Sequence, residues 1–289
     1  MSKDTGSTSL QSPSSTVLDP LLGPGGRLVV GFDGSAAGAA ALAWAAVRAR
    51  HFGTELQLTG VVDDDFGAMG ADYSEESSLR LAQLLSEAAD RLEESHPGLA
   101  ISSRLVEGSV ADALASAAST GDLVVIGSDK TGFARGRVYG ARSLQLAAVT
   151  TSALVVIPSV DVRLRTGVVV AVDDTAGAIR LARIGAREAR QRDGQLVLVH
   201  AIPMGSDADR RARAEVVLAA ARAAAEEEDA SIQVTSHLAH RRPAEAVLNL
   251  SRDKALLLVG RSRRPDGLGL GGTLHEVLLN ANVPVVVVR

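Results

Sequence analysis

Residues 28–35 read Leu-Val-Val-Gly-Phe-Asp-Gly-Ser. A short run rich in β-branched residues stops at an acid, a glycine and a hydroxyl. An alanine-rich stretch of helical pattern, 36–50, follows at once. This is the grammar of a buried strand ending in a tight turn that caps a helix. In open α/β sheets the ligand crevice lies at such carboxyl ends of strands, which places Asp33 where binding would occur. The same order returns at 168–175, Val-Val-Val-Ala-Val-Asp-Asp-Thr. One element is used twice, so the chain reads as a duplicated domain.

Working outward from these two turns, the first half continues with strands near 55–62, 100–106, 123–126 and 153–157. Helices are expected near 74–95, 110–119 and 141–149. The second half repeats this order, with strands near 167–172, 195–202, 231–238, 255–259 and 284–288. Its helices are expected near 176–191, 207–228, 243–251 and 273–280. Alternation of strand and helix predicts parallel doubly wound sheets. Residues 1–26 are rich in Ser, Thr, Gly and Pro and are expected to be a flexible tail. Docking through Val17, Leu18, Leu21 and Leu22 is the alternative. Domain one spans 27–158 and domain two 167–289, with a short linker between them.

Composition agrees. The 289 residues are 46% hydrophobic yet only 2% aromatic, so the cores must be built from Val, Leu, Ile and Ala. A net charge of −4 offers no basic field for nucleic acid. The absence of cysteine excludes disulfides and thiolate chemistry. No apolar run reaches bilayer length and no signal core is visible, so a cytoplasmic protein without membrane partners is expected.

Each fourth strand ends in a glycine. Val124-Val-Ile-Gly127 leads through a loop to Tyr139-Gly140-Ala141, and Leu257-Leu-Val-Gly260 leads to Gly271-Gly272-Thr273. With the two strand-one turns, in this order and twice in one chain, the sequence resembles the universal stress protein family in its tandem two-domain form. That resemblance implies two Rossmann-like domains, each a five-stranded parallel sheet of order 3-2-1-4-5. It also implies pseudo-symmetric packing through the fifth strands. ATP-binding members carry G-x-x-G, nine residues, then glycine and a hydroxyl residue. Glycines there let backbone N–H groups approach phosphates, and the next helix turns its positive end to the anion.

Carried over by position, the first half offers Asp33, Gly34, Val61, Gly127 and Gly140 for ATP or a related adenine nucleotide, with Mg²⁺ as the accompanying ion. Lys130 stands where the second glycine belongs and offers a positive charge instead; Ala141 replaces the hydroxyl, with Ser143 nearby but out of register. The second half offers Asp173, Ala201, Gly260, Gly272 and Thr273. There Arg263 replaces the glycine, the spacer is one residue short, and Asp174 replaces the turn glycine. Arg261, Arg263 and Arg264 are candidates to offset the two acids. The intact turn and full-length loop predict the tighter site in the first half. The alternative function is an interaction module with no nucleotide.

Other signals point nowhere stronger. Gly267-Leu-Gly269-Leu-Gly271-Gly272 matches a dinucleotide fingerprint formally, but no following strand carries the ribose-binding acid. His237 and His240 fall on opposite faces of a strand, against metal binding. Asp63, Asp64 and Asp65 read as a solvated loop, with Mg²⁺ beside a nucleotide as the sharper reading. Asp33 has its own plain reading as a helix cap. No catalytic constellation is legible, so slow ATP hydrolysis is the most expected of it. A homodimer with unidentified protein partners completes the expectation.

Overall fold

A computed structural model describes residues 18–63, 71–128, 141–160, 164–174, 177–192, 194–261 and 269–289, and leaves the side chains of 71–74 and 141 aside. The first half runs β1 (Leu28–Gly31), α1 (Ala36–Phe52), β2 (Leu56–Val62), α2 (Ala71–Ser95), β3 (Ile101–Glu107), α3 (Val110–Ala117), β4 (Leu123–Ser128), α4 (Ala141–Val149) and β5 (Ala153–Pro158). The second half repeats it as β6 (Thr166–Ala171), α5 (Gly177–Arg190), β7 (Gln195–Ile202), α6 (Ala208–Glu228), β8 (Gln233–His240), α7 (Pro243–Ser251), β9 (Lys254–Gly260), α8 (Gly272–Asn280) and β10 (Val285–Val288).

The strands form one sheet in the order β3-β2-β1-β4-β5-β10-β9-β6-β7-β8. Each half is parallel with the order 3-2-1-4-5, and the halves join where β5 and β10 pair antiparallel. Two apolar fifth strands would be unpaired edges in isolated halves, and pairing removes both. The register sets Val286 opposite Val155, with Val285 opposite Val156 and Val287 opposite Leu154.

Strand side chains alternate between two cores. Leu123 and Val125, Val155 and Ile157, and Val286 and Val288 join a core under α1, α2, α5 and α6. Val124 and Ile126, Leu154 and Val156, and Val285 and Val287 join another under α3, α4, α7 and α8. Both cores run through both halves. Alanine suits this arrangement because it lets helices approach the sheet closely: Ala41, Ala45 and Ala49 on α1 are fully buried.

Polar contacts also cross between the halves. Arg48 on α1 forks onto Glu188 of α5, with Nη2 to Oε1 at 2.6 Å and Nη1 to Oε2 at 3.2 Å. Its Nε donates to Asp19 at 2.6 Å, and its Nη2 also reaches Asp19. Arg192 closes the cluster on Glu188 at 2.5 Å. Trp44 and Phe52 lie against the Arg48 guanidinium, 5.3 and 5.0 Å from their ring centroids.

Asp19 lies within the expected loose tail, so that expectation is corrected for residues near the domain. Asp19 and Leu21 are buried, and Gly23 donates to the Gly121 carbonyl at 2.8 Å. A carboxylate that satisfies a buried guanidinium holds the segment down, together with Leu21 in the core.

Arg261 is the second crossing. Its guanidinium donates to the carbonyls of Ala148 and Thr150 at the C-terminal end of α4. Last-turn carbonyls lack intrahelical partners and carry the negative end of the helix dipole, so an arginine suits them. The sequence offers Arg261 as a counter-charge to Asp173 and Asp174; the structure shows its guanidinium on the end of α4. Arg261→Met is expected to lower stability by about 1–3 kcal/mol, measured by urea denaturation; an unchanged midpoint would refute the capping role.

Candidate functional site

A cavity of about 380 Å³ opens at the carboxyl ends of β1, β2 and β4. Its floor is apolar, from Val61, Val110, Leu114, Ile126 and Leu146. Its rim is polar, with Asp33, Ser35, Asp63, Ser77 and Arg142, and Thr59 adds a fully buried hydroxyl to the lining. Size and mixture are those of a small-molecule site.

Local chemistry explains how the rim is built. Ser35 is the N-cap of α1, its hydroxyl accepting from the Gly38 backbone at 3.0 Å. Asp33 is therefore not the cap; its Oδ1 accepts from the Ser35 backbone at 3.0 Å and fixes the turn before the helix. Gly34 takes a positive φ of 76°, which a side chain would strain, and a Cβ there would stand 3.2 Å from Leu84 of α2. Gly34 shapes the turn without lining the cavity.

Gly127 lines the cavity, but it lies inside β4, and its lack of a side chain has a packing cause. A Cβ at this position would overlap the Ala37 carbonyl and stand 2.8 Å from the Ala37 Cβ. The first turn of α1 thus rests directly on the end of β4. Ser143 is 2% exposed and is not among the cavity residues. Its place two residues into α4 turns it into the protein. Lys130 and Gly140 fall outside the described residues, as do Asp64 and Asp65. Arg142 was missed in the sequence. It lines the cavity and pairs with Asp63 at 3.8 Å. Its signal was a cation directly after the loop, at the start of a helix.

The second half carries a matching cavity of about 360 Å³. Asp173, Ala201, Gly260 and Thr273 line it, as do Asp174, His200, Arg210 and Arg213. Gly272 opens α8 but is not among the lining residues. A Cβ at Gly260 would meet nothing within 4 Å, so this glycine, unlike Gly127, borders open space. His200 is buried at the base of the cavity. Its Nδ1 donates to the Val172 carbonyl at 2.9 Å, which leaves Nε2 toward Asp174 at 3.5 Å. The second acid is thus placed against an imidazole. Arg210 and Arg213 were also missed; their three-residue spacing puts both on one side of α6. Arg263 and Arg264 lie outside the described residues.

Among the described residues, no group of three or more His, Asp or Glu side chains could hold a metal ion. Nor, among those residues, is any helix long and apolar enough to cross a membrane.

A family model described as the universal stress protein family matches residues 26–158 and 166–289. Universal stress protein Rv2005c of Mycobacterium tuberculosis is 26% identical over 290 residues, covering 91% of this chain and 96% of that one. The crystal structure of a universal stress protein from Archaeoglobus fulgidus superposes with a TM-score of 0.70 at 18% identity, covering 91% of this chain and 98% of that one. A universal stress protein from Pseudomonas aeruginosa superposes with a TM-score of 0.63 at 17% identity, covering 91% of this chain and 92% of that one. At these identities the two structures speak for the fold.

Proposed function

The chain belongs to the universal stress protein family, and on that premise we propose that it is a stress-response regulator whose N-terminal half binds ATP or a related adenine nucleotide. The observation that carries this reading is the first cavity: an apolar floor beneath a polar rim, at the carboxyl ends of three parallel strands. The apolar floor suits a purine. Asp33, with one oxygen fixed by the turn, suits a ribose hydroxyl. Arg142 at the start of α4, together with the helix N-terminus, suits the phosphates. In this reading Mg²⁺ arrives with the phosphates, on the side where Asp63 pairs with Arg142.

The second cavity is proposed as the weaker site, because its loop from Gly260 to Gly272 is one residue shorter than that from Gly127 to Gly140 and Asp174 replaces the turn glycine, although Arg210 and Arg213 also border it. A homodimer would have to use a surface other than the fifth strands, since those pair with each other inside the chain.

A reading without nucleotide has specific observations behind it. Gly127 is explained by α1 packing, and Asp33 by its turn. The two readings separate by mass spectrometry of ligand released from purified protein, followed by calorimetry with ATP. The expected result is one stronger site per chain, weakened about tenfold, or about 1.4 kcal/mol, by Asp33→Ala and little changed by Asp173→Ala. The reverse order would move the main site to the second half. Absence of any adenine nucleotide binding would leave the interaction module.

A further inference from the structure

Arg48 and Glu188 occupy the same position in the two halves. Each stands fifteen residues after the acid that follows the first strand of its half, Asp33 or Asp173. The registers agree: Leu28 pairs with Leu56 as Val168 pairs with Leu196, the same spacing in both halves. Val155 and Val286 are likewise equivalent and face each other in the β5–β10 pair, so the pseudo-two-fold axis passes beside them. Residues related by that axis meet across it, and Arg48 meets Glu188 in a buried place, 4% and 0% exposed.

At such a position, pairing of like halves would set Arg48 against Arg48 or Glu188 against Glu188. Local partners do not rescue this. Asp19 serves Nε and shares Nη2, but Nη1 is served by Glu188, and on the other side Arg192 serves Glu188 Oε2 while Oε1 is served by Arg48. A guanidinium has donors only and an ionised carboxylate acceptors only. Two arginines would leave buried donors without acceptors, and two glutamates the converse, even where net charge balances.

We propose that Arg48 and Glu188 are an identity pair, which makes the interface of each half complementary to the opposite half and closed to a copy of itself. Duplication alone would have left two self-complementary halves, able to pair like with like between chains. Divergence at one equivalent position removes that choice. The partner this surface accepts carries the opposite charge at the equivalent place: the other half of this chain, or the other half of a second copy when a chain's own halves no longer match.

The test exploits that last case with full-length chains. One chain carries Glu188→Arg and Val155→Cys, the other Arg48→Glu and Val286→Cys; no native cysteine interferes. Within either chain the pair is now like-charged, while the first half of one chain and the second half of the other keep the native Arg48–Glu188 match. Co-expressed and oxidised, the two are expected to give a one-to-one disulfide-linked dimer. Chains carrying only the two cysteine substitutions should give at least tenfold less, because each closes on itself. Equal cross-linking in both mixtures would overturn the proposal. So would failure of the two charge variants to yield folded protein together, since matching halves should rescue one another.

Discussion

Arg48→Met is expected to lower stability by about 3–5 kcal/mol, the cost of stranding a buried ionic partner. The substitution keeps an unbranched apolar stem of similar reach, so packing against Trp44 and Phe52 is largely preserved. The loss comes from Glu188, which is fully buried and among the described residues keeps only Arg192, and from Asp19, which loses the guanidinium it brackets. Guanidinium chloride unfolding measures the change, and a midpoint within error of the parent would show that the cluster is solvated in solution. Arg48→Met combined with Glu188→Leu should recover only part of the loss, because it removes the stranded Glu188 but leaves Asp19 without its guanidinium and takes the carboxylate from Arg192.

The same cluster sets a pH dependence. Burial alone would raise the Glu188 carboxyl, but the guanidiniums of Arg48 and Arg192 outweigh it and hold the group below its ordinary value of 4.5. For Arg48, burial opposes the charge, and Glu188 and Asp19 reverse that, raising it above its ordinary value. Arg48 thus stays protonated across the accessible range. A carboxyl depressed in the folded state binds protons more readily when unfolded. Its contribution is therefore complete above the unfolded value and lost as pH falls through the folded one. Stability should be level above about pH 5 and decline below it, with a shallower acid limb in the Arg48→Met chain.

Gly127→Ala is expected to cost about 3 kcal/mol, whereas Gly260→Ala should cost under about 0.5 kcal/mol. These glycines hold equivalent places in β4 and β9 and look alike in sequence. The added methyl at 127 would collide with the Ala37 carbonyl, and backbone on both sides must move to admit it. At 260 the methyl enters open space. Thermal unfolding of the two variants decides the matter. Equal effects would mean that α1 does not rest on β4 as described. Because α1 also carries Arg48, displacement of its first turn should weaken contact between the halves too.

Much of this was legible in the residues alone. Strand-turn-helix grammar at 28–35 and 168–175 needs only local chemistry: β-branched residues favour strands, the polar turn caps, and alanine continues the helix, though that the cap is Ser35 and not Asp33 came from the structure. Repetition of that grammar pointed to the duplication, and the alternation of apolar strands with helices pointed to the parallel halves. Apolar fifth strands pointed to their own pairing, because an unpaired edge of valines is costly wherever it occurs.

Through-space partners were not legible. Arg48 sits on an alanine-rich helix with nothing nearby in sequence to show that it is buried, and Glu188 belongs to the other half. Asp19 looked like part of a polar tail until the fold brought a guanidinium to it. The hold of Arg261 on α4 was not legible either, because sequence places it one residue after a strand but cannot show that α4 ends beside it. Gly127 and Gly260 carry the same letter for different reasons, and only the position of Ala37 tells them apart. Local propensity is written along the chain; which buried charge finds its partner is decided by where two halves come to rest against each other.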